Sequence, residues 1–447
     1  MDIKAFLPCK KPRRSNRLEV KEKHCAKTEE IKQGQLGYFS ILPLELKFCI
    51  LKYLRVEDLS ILTITSKAMR NLIEGYRVLM PALQKDLVHR VHSQNKKQPL
   101  PLEKQSELIK RFHKLGLLMK RSTCLYSTKD RLRYVNDVLS KMMCSNASHC
   151  DNVAHCVSMT CFGRFLHTVI AGWDDCECQR TYESITSHIC IMRNVKLVVN
   201  SKPGIHSKAE SEIRTFFRRV FLDNCQSMQD KAFWLTQILK PWPMVQQARL
   251  IFLLYGPEVD EEVLWYELCE NTPFNAEQSA KHFGDLANAL QILNWYQQEW
   301  SSDDIVSILD ELTSSPEEWL AENVAHLLIL CGDTITTKML ASKAINGRII
   351  ELSGITTSFC VVCVKNSFSL SYVLVMIQHI VQAMDNSKDR LQFFNSVMDM
   401  FKELILDLHE FVDPEDGHEN DMYYMVTALS EFTKKLIQMA FKATLSV

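Results

Sequence analysis

From Glu210 to the C-terminus, apolar residues recur at helical spacing and no run alternates as a strand would, which fixes the fold class. Ile213, Phe216, Phe217, Val220 and Phe221 form one such stripe and predict a helix over 210–224. Similar stripes predict helices over 230–239, 245–255, 259–269, 277–297 and 301–312. Others are expected over 315–331, 335–346, 348–364, 368–384, 388–410 and 420–444. The stops are local: Pro241-Trp242-Pro243, Gly256-Pro257 and Gly332. Ser315-Pro316-Glu317-Glu318 joins a cap residue, a proline suited to a first helical position and a carboxylate three residues on, so a helix is expected to start there. Only 13 glycines and 13 prolines occur in 447 residues, and so few breakers favour an all-α protein. The expected architecture is a body of antiparallel helix pairs, either α-solenoid-like or an irregular bundle. No fixed repeat period is detectable.

Upstream, helices are expected over 83–91, 102–119, 128–139 and 162–173, with Leu132, Val135, Val138 and Leu139 facing inward on the third. Lys202-Pro203-Gly204 is the clearest internal breaker. It divides a helical subdomain over 81–203 from a helical partner-binding body over 204–447. Residues 1–37 are polar and uneven, cannot bury much apolar area and are expected to be a disordered basic tail. Lys10, Lys11, Arg13, Arg14 and Arg17 in that tail have the look of a nuclear-import address, consistent with residence in nucleus and cytoplasm.

Residues 38–80 stand apart. Leu42, Leu46, Ile50 and Leu54 recur every four residues, and Phe48 and Leu51 broaden the stripe. Arg55 and Val56 make a bend. Glu57 and Asp58 open a second short helix carrying Leu59 and Leu62, and Thr65 or Ser66 can cap a third with Met69, Leu72, Ile73 and Tyr76 inward. Three helices in about forty residues are too few to bury a self-sufficient core, so a partner is expected to complete it. The order Leu42-Pro43-x-Glu45-Leu46, Ile50-Leu51-x-Tyr53-Leu54, Asp58-Leu59, Leu62 and Ser66-Lys67 resembles the F-box. Ala68-Met69-Arg70 stands where many members carry an aromatic.

That resemblance implies a three-helix module packing on the Skp-type adaptor of a cullin ubiquitin ligase. Leu42, Pro43, Leu46, Ile50, Leu54, Leu59 and Leu62 are the residues it assigns to docking. Segments 13–17, 115–121, 165–174, 233–250 and 341–348 are similar to one member of the same family across nearly the whole chain. The likeness implies a substrate-recognition adaptor with a helical body, no catalytic site of its own and a link to meiotic chromosome events in germ cells.

Little in the residues argues for chemistry. There is no Gly-x-Gly-x-x-Gly, phosphate-binding Gly-Lys-Ser/Thr, His-Glu-x-x-His or Gly-x-Ser-x-Gly segment. No cofactor is expected. Lys plus Arg and Asp plus Glu both number 53, and zero net charge disfavours direct nucleic-acid binding. No apolar run is long enough to span a bilayer, and no apolar leader segment begins the chain. The 16 cysteines therefore read as mostly free, buried thiols in a reducing compartment. Cys144, Cys150, Cys156, Cys161, Cys176, Cys178 and Cys190, with His149, His155 and His167, form a cluster whose spacings do not fit the common zinc sites, so no metal is expected. Cys360-Val-Val-Cys363 has redox spacing but lies in an apolar helix, where two core thiols are expected. Asp303-Asp304 and Glu317-Glu318 fall at expected helix starts, and residues 410–421 form an acidic, solvated loop. Trp242, between two prolines, and Trp173 are candidate recognition anchors for a substrate or partner. A rival reading is a nuclear helical scaffold that uses the F-box only to hold a partner.

Overall fold

The computed structural model describes residues 36–75, 101–143, 156–273, 276–411 and 419–445. The basic tail, the helix expected over 83–91, Cys144, His149, Cys150, His155 and most of the acidic loop lie outside them. The chain divides into two compact units, 1–82 and 83–447.

In the first unit a 3₁₀ turn over Gly37–Ile41 leads into α1 (Leu44–Tyr53), α2 (Val56–Thr65) and α3 (Lys67–Gly75). Pro43 stands at the N-cap of α1, and Glu45 lies in the first turn against the positive helix end. Arg55 Nε donates to Asp58 Oδ2 at 3.1 Å and closes the α1–α2 bend. The Met69 N–H donates to Ser66 Oγ at 3.0 Å, so Ser66 is the cap of α3. Arg70 Nε reaches back to the Thr63 carbonyl at 3.2 Å and ties α3 to α2. Leu51, Leu59, Leu72 and Ile73 are buried together with Ser60 and Thr63.

The second unit opens with α4 (Leu102–Ser122), α5 (Thr128–Met142, capped by Ser127) and α6 (Ser158–Ile170). Helices α4 and α6 pack closely because Gly116 carries no side chain: a Cβ there would meet Thr168 Cβ at 2.7 Å and the Phe165 carbonyl at 2.8 Å. Then follow α7 (Asp175–His188), α8 (Ile191–Asn200) and α9 (Ser207–Phe216). The turn at 202–204 joins α8 to α9, which pack on each other within the one unit. The helix expected over 210–224 changes character at Phe217, where a π-helical turn spans Phe217–Leu222. The wider turn rotates the aromatic stripe. Phe217 and Phe221 lie 6.3 and 5.5 Å from the Tyr182 ring, and Phe221 is 4.9 Å from Trp234. Gly163 of α6 admits this turn, since a Cβ would stand 2.3 Å from the Arg219 carbonyl.

Helices α10 (Met228–Leu239) and α11 (Met244–Tyr255) follow as expected, with Ser227 capping the first and Gly256 ending the second. The helix expected over 259–269 is absent. A two-residue hairpin, β1 (Glu258–Val259) and β2 (Glu262–Val263), takes its place, with only a short α12 (Glu267–Glu270) behind it. Asp260 and Glu261 turn it at φ of 50° and 69°. Distant partners outweigh the local helical pattern. Arg214 Nε meets Glu258 at 2.7 Å, Trp265 Nε1 donates to the buried Glu210 carboxylate at 2.8 Å, and the Trp265 ring stacks on Phe252.

The remaining helices are α13 (Ala276–Trp295), α14 (Ser302–Ser314), α15 (Ala321–Cys331), α16 (Asp333–Ile345), α17 (Ile349–Lys365), α18 (Ser371–Ala383), α19 (Ser387–Phe411) and α20 (Glu419–Leu445). A capping box between Ser301 and Asp304 starts α14. The start expected at Ser315–Glu318 is not one. Residues 315–317 bend and 318–320 are irregular, held where Trp319 N–H donates to the Thr313 carbonyl at 2.9 Å and Leu320 N–H to the Leu268 carbonyl at 3.2 Å. Trp319 is buried against Phe252 and Phe283. Each helix packs on the second one along: α13, α15, α17 and α19 form one row, and α14, α16 and α18 the other. That is a stack of helix hairpins, so the body is the α-solenoid-like alternative.

Among the described cysteines five are buried, three half-buried and four exposed, fewer fully buried than the sequence suggests. Cys161 is a small apolar residue inside α6, with burial pushing its thiol up to about 12. Cys360 and Cys363 sit in the core of α17, and burial holds the Cys363 thiol up at about 11.

Candidate docking surface

The first unit buries one side and leaves the other apolar and open. On α1, Leu46 (51% exposed), Ile50 (38%) and Tyr53 (88%) follow at four- and three-residue spacing and share a face. On α2, Ile61 and Ile64 point outward at three-residue spacing, opposite the buried Leu59, Ser60 and Thr63. Tyr38, Ile41 and Leu44 add exposed apolar area at the entry to α1. A lone monomer seldom leaves so many large apolar side chains in water on so short a segment, and such a patch marks an interaction site.

The residues assigned to docking by sequence divide three ways. Pro43, Leu46 and Ile50 are exposed, while Leu42, Leu54 and Leu62 are half-buried. Leu59 is 4% exposed and belongs to the core of the module, where it faces α3 rather than solvent. Tyr38, Ile41, Leu44, Tyr53, Ile61 and Ile64 were not assigned to docking from the sequence. The signal was present in the stripe 46, 50, 53 and in the pair 61, 64, but periodicity does not say which stripe faces inward. Fully burying Leu46, Ile50, Ile61 and Ile64 would contribute about 1.5 to 3 kcal/mol each. Association costs about 4 to 15 kcal/mol, so the tyrosines and the half-buried leucines are needed as well.

Nine charged side chains lie between residues 36 and 75; Glu45, Lys52, Arg55 and Lys67 are exposed and the other five half-buried. Arg55 holds the Asp58 carboxyl below the usual carboxylate range, and the pair sits at the bend rather than on the apolar face. Burial raises the Glu74 carboxyl.

In the body, Trp242 and Trp173 are both half-buried. The Pro-Trp-Pro turn is pinned to α11, where Gln247 Nε2 donates to the Trp242 carbonyl at 2.7 Å. The Arg131 guanidinium lies 4.8 Å from the centre of the Trp173 ring. The indole nitrogens of both are shielded from solvent and find no hydrogen-bond partner among the described residues. The import-signal residues Lys10, Lys11, Arg13, Arg14 and Arg17 lie outside the described residues. Among those described, no three His, Cys, Asp or Glu side chains converge as a metal site would require. No helix there is long and apolar enough to cross a membrane.

A family model described as F-box domain matches residues 39–79, which contain the apolar face. A second, described as FBXO47, ARM repeats, matches residues 190–425, from α8 to α20. F-box only protein 47 of Homo sapiens is 35% identical over 450 residues, covering 99% of this chain and 98% of its own. The Mus musculus protein of that name is 34% identical over 447 residues, covering 98% and 97%. No solved structure matches the chain.

Proposed function

The chain belongs to the F-box only protein 47 family, and we propose that it is the substrate-recognition adaptor of a Skp–cullin–F-box ubiquitin ligase. The open apolar face of α1 and α2, on a module matched as an F-box, carries this reading. That face docks a Skp-type adaptor and, through it, the cullin scaffold. The stacked helices of the body hold a protein substrate. The chain is a non-catalytic subunit: the partner enzyme supplies the ubiquitin transfer, and this chain supplies proximity. We place it in nucleus and cytoplasm, on the basic run at 10–17, and in germ-cell nuclei, the setting that the family resemblance implies.

Quantitative affinity purification tests the substrate role. Wild-type chain is compared with a docking-deficient chain, with and without proteasome inhibitor. At least one body-bound protein is expected to accumulate on inhibition and to rise when only the docking-deficient chain is present. If every co-purified protein keeps a constant level in all four conditions, the chain is a scaffold and the adaptor reading is wrong.

A further inference from the structure

Within the second unit, α4, α6 and α10 enclose a cavity of about 400 Å³, bounded at one end by the 171–175 turn. Its wall carries Arg164, half-buried, whose guanidinium has no ion pair or hydrogen bond to any described residue. That sets it apart from Arg214, Arg218, Lys343 and Arg348, which all face carboxylates at 2.9 Å or closer. A half-buried cation without a counter-ion is costly, and the cost is recovered when an anion enters. The neighbours do not supply one. The Thr168 hydroxyl donates to the Arg164 carbonyl, which leaves its oxygen to accept from His113 Nδ1 at 2.9 Å. His167 Nε2 donates to the Val220 carbonyl at 3.1 Å. Burial and the nearby Arg164 charge both hold these imidazoles below their usual range, so they are neutral at pH 7. Asp175 and Asp230 stand exposed at the rim and make no contact with Arg164.

The wall also carries aromatic rings, among them Trp173, Phe233 and Trp234, beside the amides of Asn224, Gln226 and Gln229. Trp173 Nε1 is shielded from solvent and has no hydrogen-bond partner among the described residues. We propose that this cavity binds a short peptide segment of the substrate, placing an Asp or Glu carboxylate against Arg164 and an apolar or aromatic side chain against Trp173 and Phe233. A carboxylate fits better than a phosphate. One guanidinium makes the two parallel bonds a carboxylate takes, whereas phosphate recognition uses clustered cations. Lys120, the other cation of the wall, is tied by its ammonium to the Ala171 carbonyl at 2.5 Å. This inference rests on the adaptor reading and names where that adaptor reads its substrate.

The test uses the full chain bound to a Skp-type adaptor, as wild type and as Arg164→Gln. The probe is an immobilised heptapeptide array with Glu fixed at the centre and flanking positions varied, beside matched sets carrying Gln or phosphoserine there. Wild type is expected to retain Glu-centred peptides with an aromatic or leucine neighbour at least tenfold over their Gln counterparts, and R164Q to lose that preference. Phosphoserine peptides are expected to fall below the Glu set. R164Q is also expected to melt at or above the wild-type temperature, because it removes an unpaired charge. Retention unchanged in R164Q, equal capture of the Gln or phosphoserine set, no retained peptide, or a lowered melting temperature would each overturn the proposal. R164Q co-purifying normally with the adaptor separates failure of this site from failure of the F-box reading.

Discussion

Replacing Leu46 and Ile50 together with glutamate is expected to weaken capture of a Skp-type adaptor by more than about 100-fold, with the helical signal of the chain unchanged. Both side chains stand on the open face of α1, so carboxylates there meet water in the free chain and cost the fold little. In the complex, two charges would be pressed into an apolar interface without partners, a penalty of several kcal/mol. A factor of 100 needs only about 2.7 kcal/mol. Leu59→Ala provides the contrast. It also reduces capture, but through the module itself, since removing a buried leucine costs about 2 to 5 kcal/mol and three short helices have little stability to lose. Circular dichroism and hydrogen exchange of residues 44–75 distinguish the two. Normal capture by the Leu46/Ile50 variant would remove α1 from the docking face.

The second large effect lies in the body. Phe221→Ala is expected to destabilise the second unit by about 3 to 5 kcal/mol, read as a lower denaturation midpoint with an unchanged slope. Phe221 is 0% exposed and touches Tyr182 of α7, Phe216 of α9 and Trp234 of α10. It therefore ties α7 and α10 to the π turn that continues α9. The π turn places Phe217 beside it, so no other ring can move in without unwinding the turn. The cavity left behind is expected to stay largely unfilled, which puts the cost at the upper end of the large-to-small range. A loss below about 1 kcal/mol would mean that the aromatic cluster repacks freely, contrary to the close approach at Gly163.

Much of this was legible in the sequence, for reasons that can be named. The F-box unit was, because its leucine spacing, its bend and its Ser66 cap are all local signals. Most helices of the body were, because stripes and caps such as Ser227 and Ser301 act within one turn. Features set by distant partners were not. Arg214 holds the hairpin at Glu258 and Glu210 holds Trp265 just behind it, and neither partner is near in sequence. The non-helical turn at 315–320 follows from a backbone bond to Leu268 and from the packing of Trp319 on Phe283. The stacked array was hidden for another reason. Helix lengths vary from 11 residues in α15 to 25 in α19, so the packing of each helix on the second one along leaves no fixed period in the sequence. At the candidate site, the stripe containing Leu59 and the stripe containing Ile61 look alike as patterns. Only the packing of α3 decides which is core.

Hydrogen exchange of the full chain, alone and with a purified Skp-type adaptor, tests the central claim most directly. Added adaptor is expected to slow exchange across residues 38–65, with the largest change over α1 and α2, and to leave residues 190–425 unchanged. Protection in the body with none over 38–65, or no protection at all, would contradict the assignment of docking to the apolar face of the F-box.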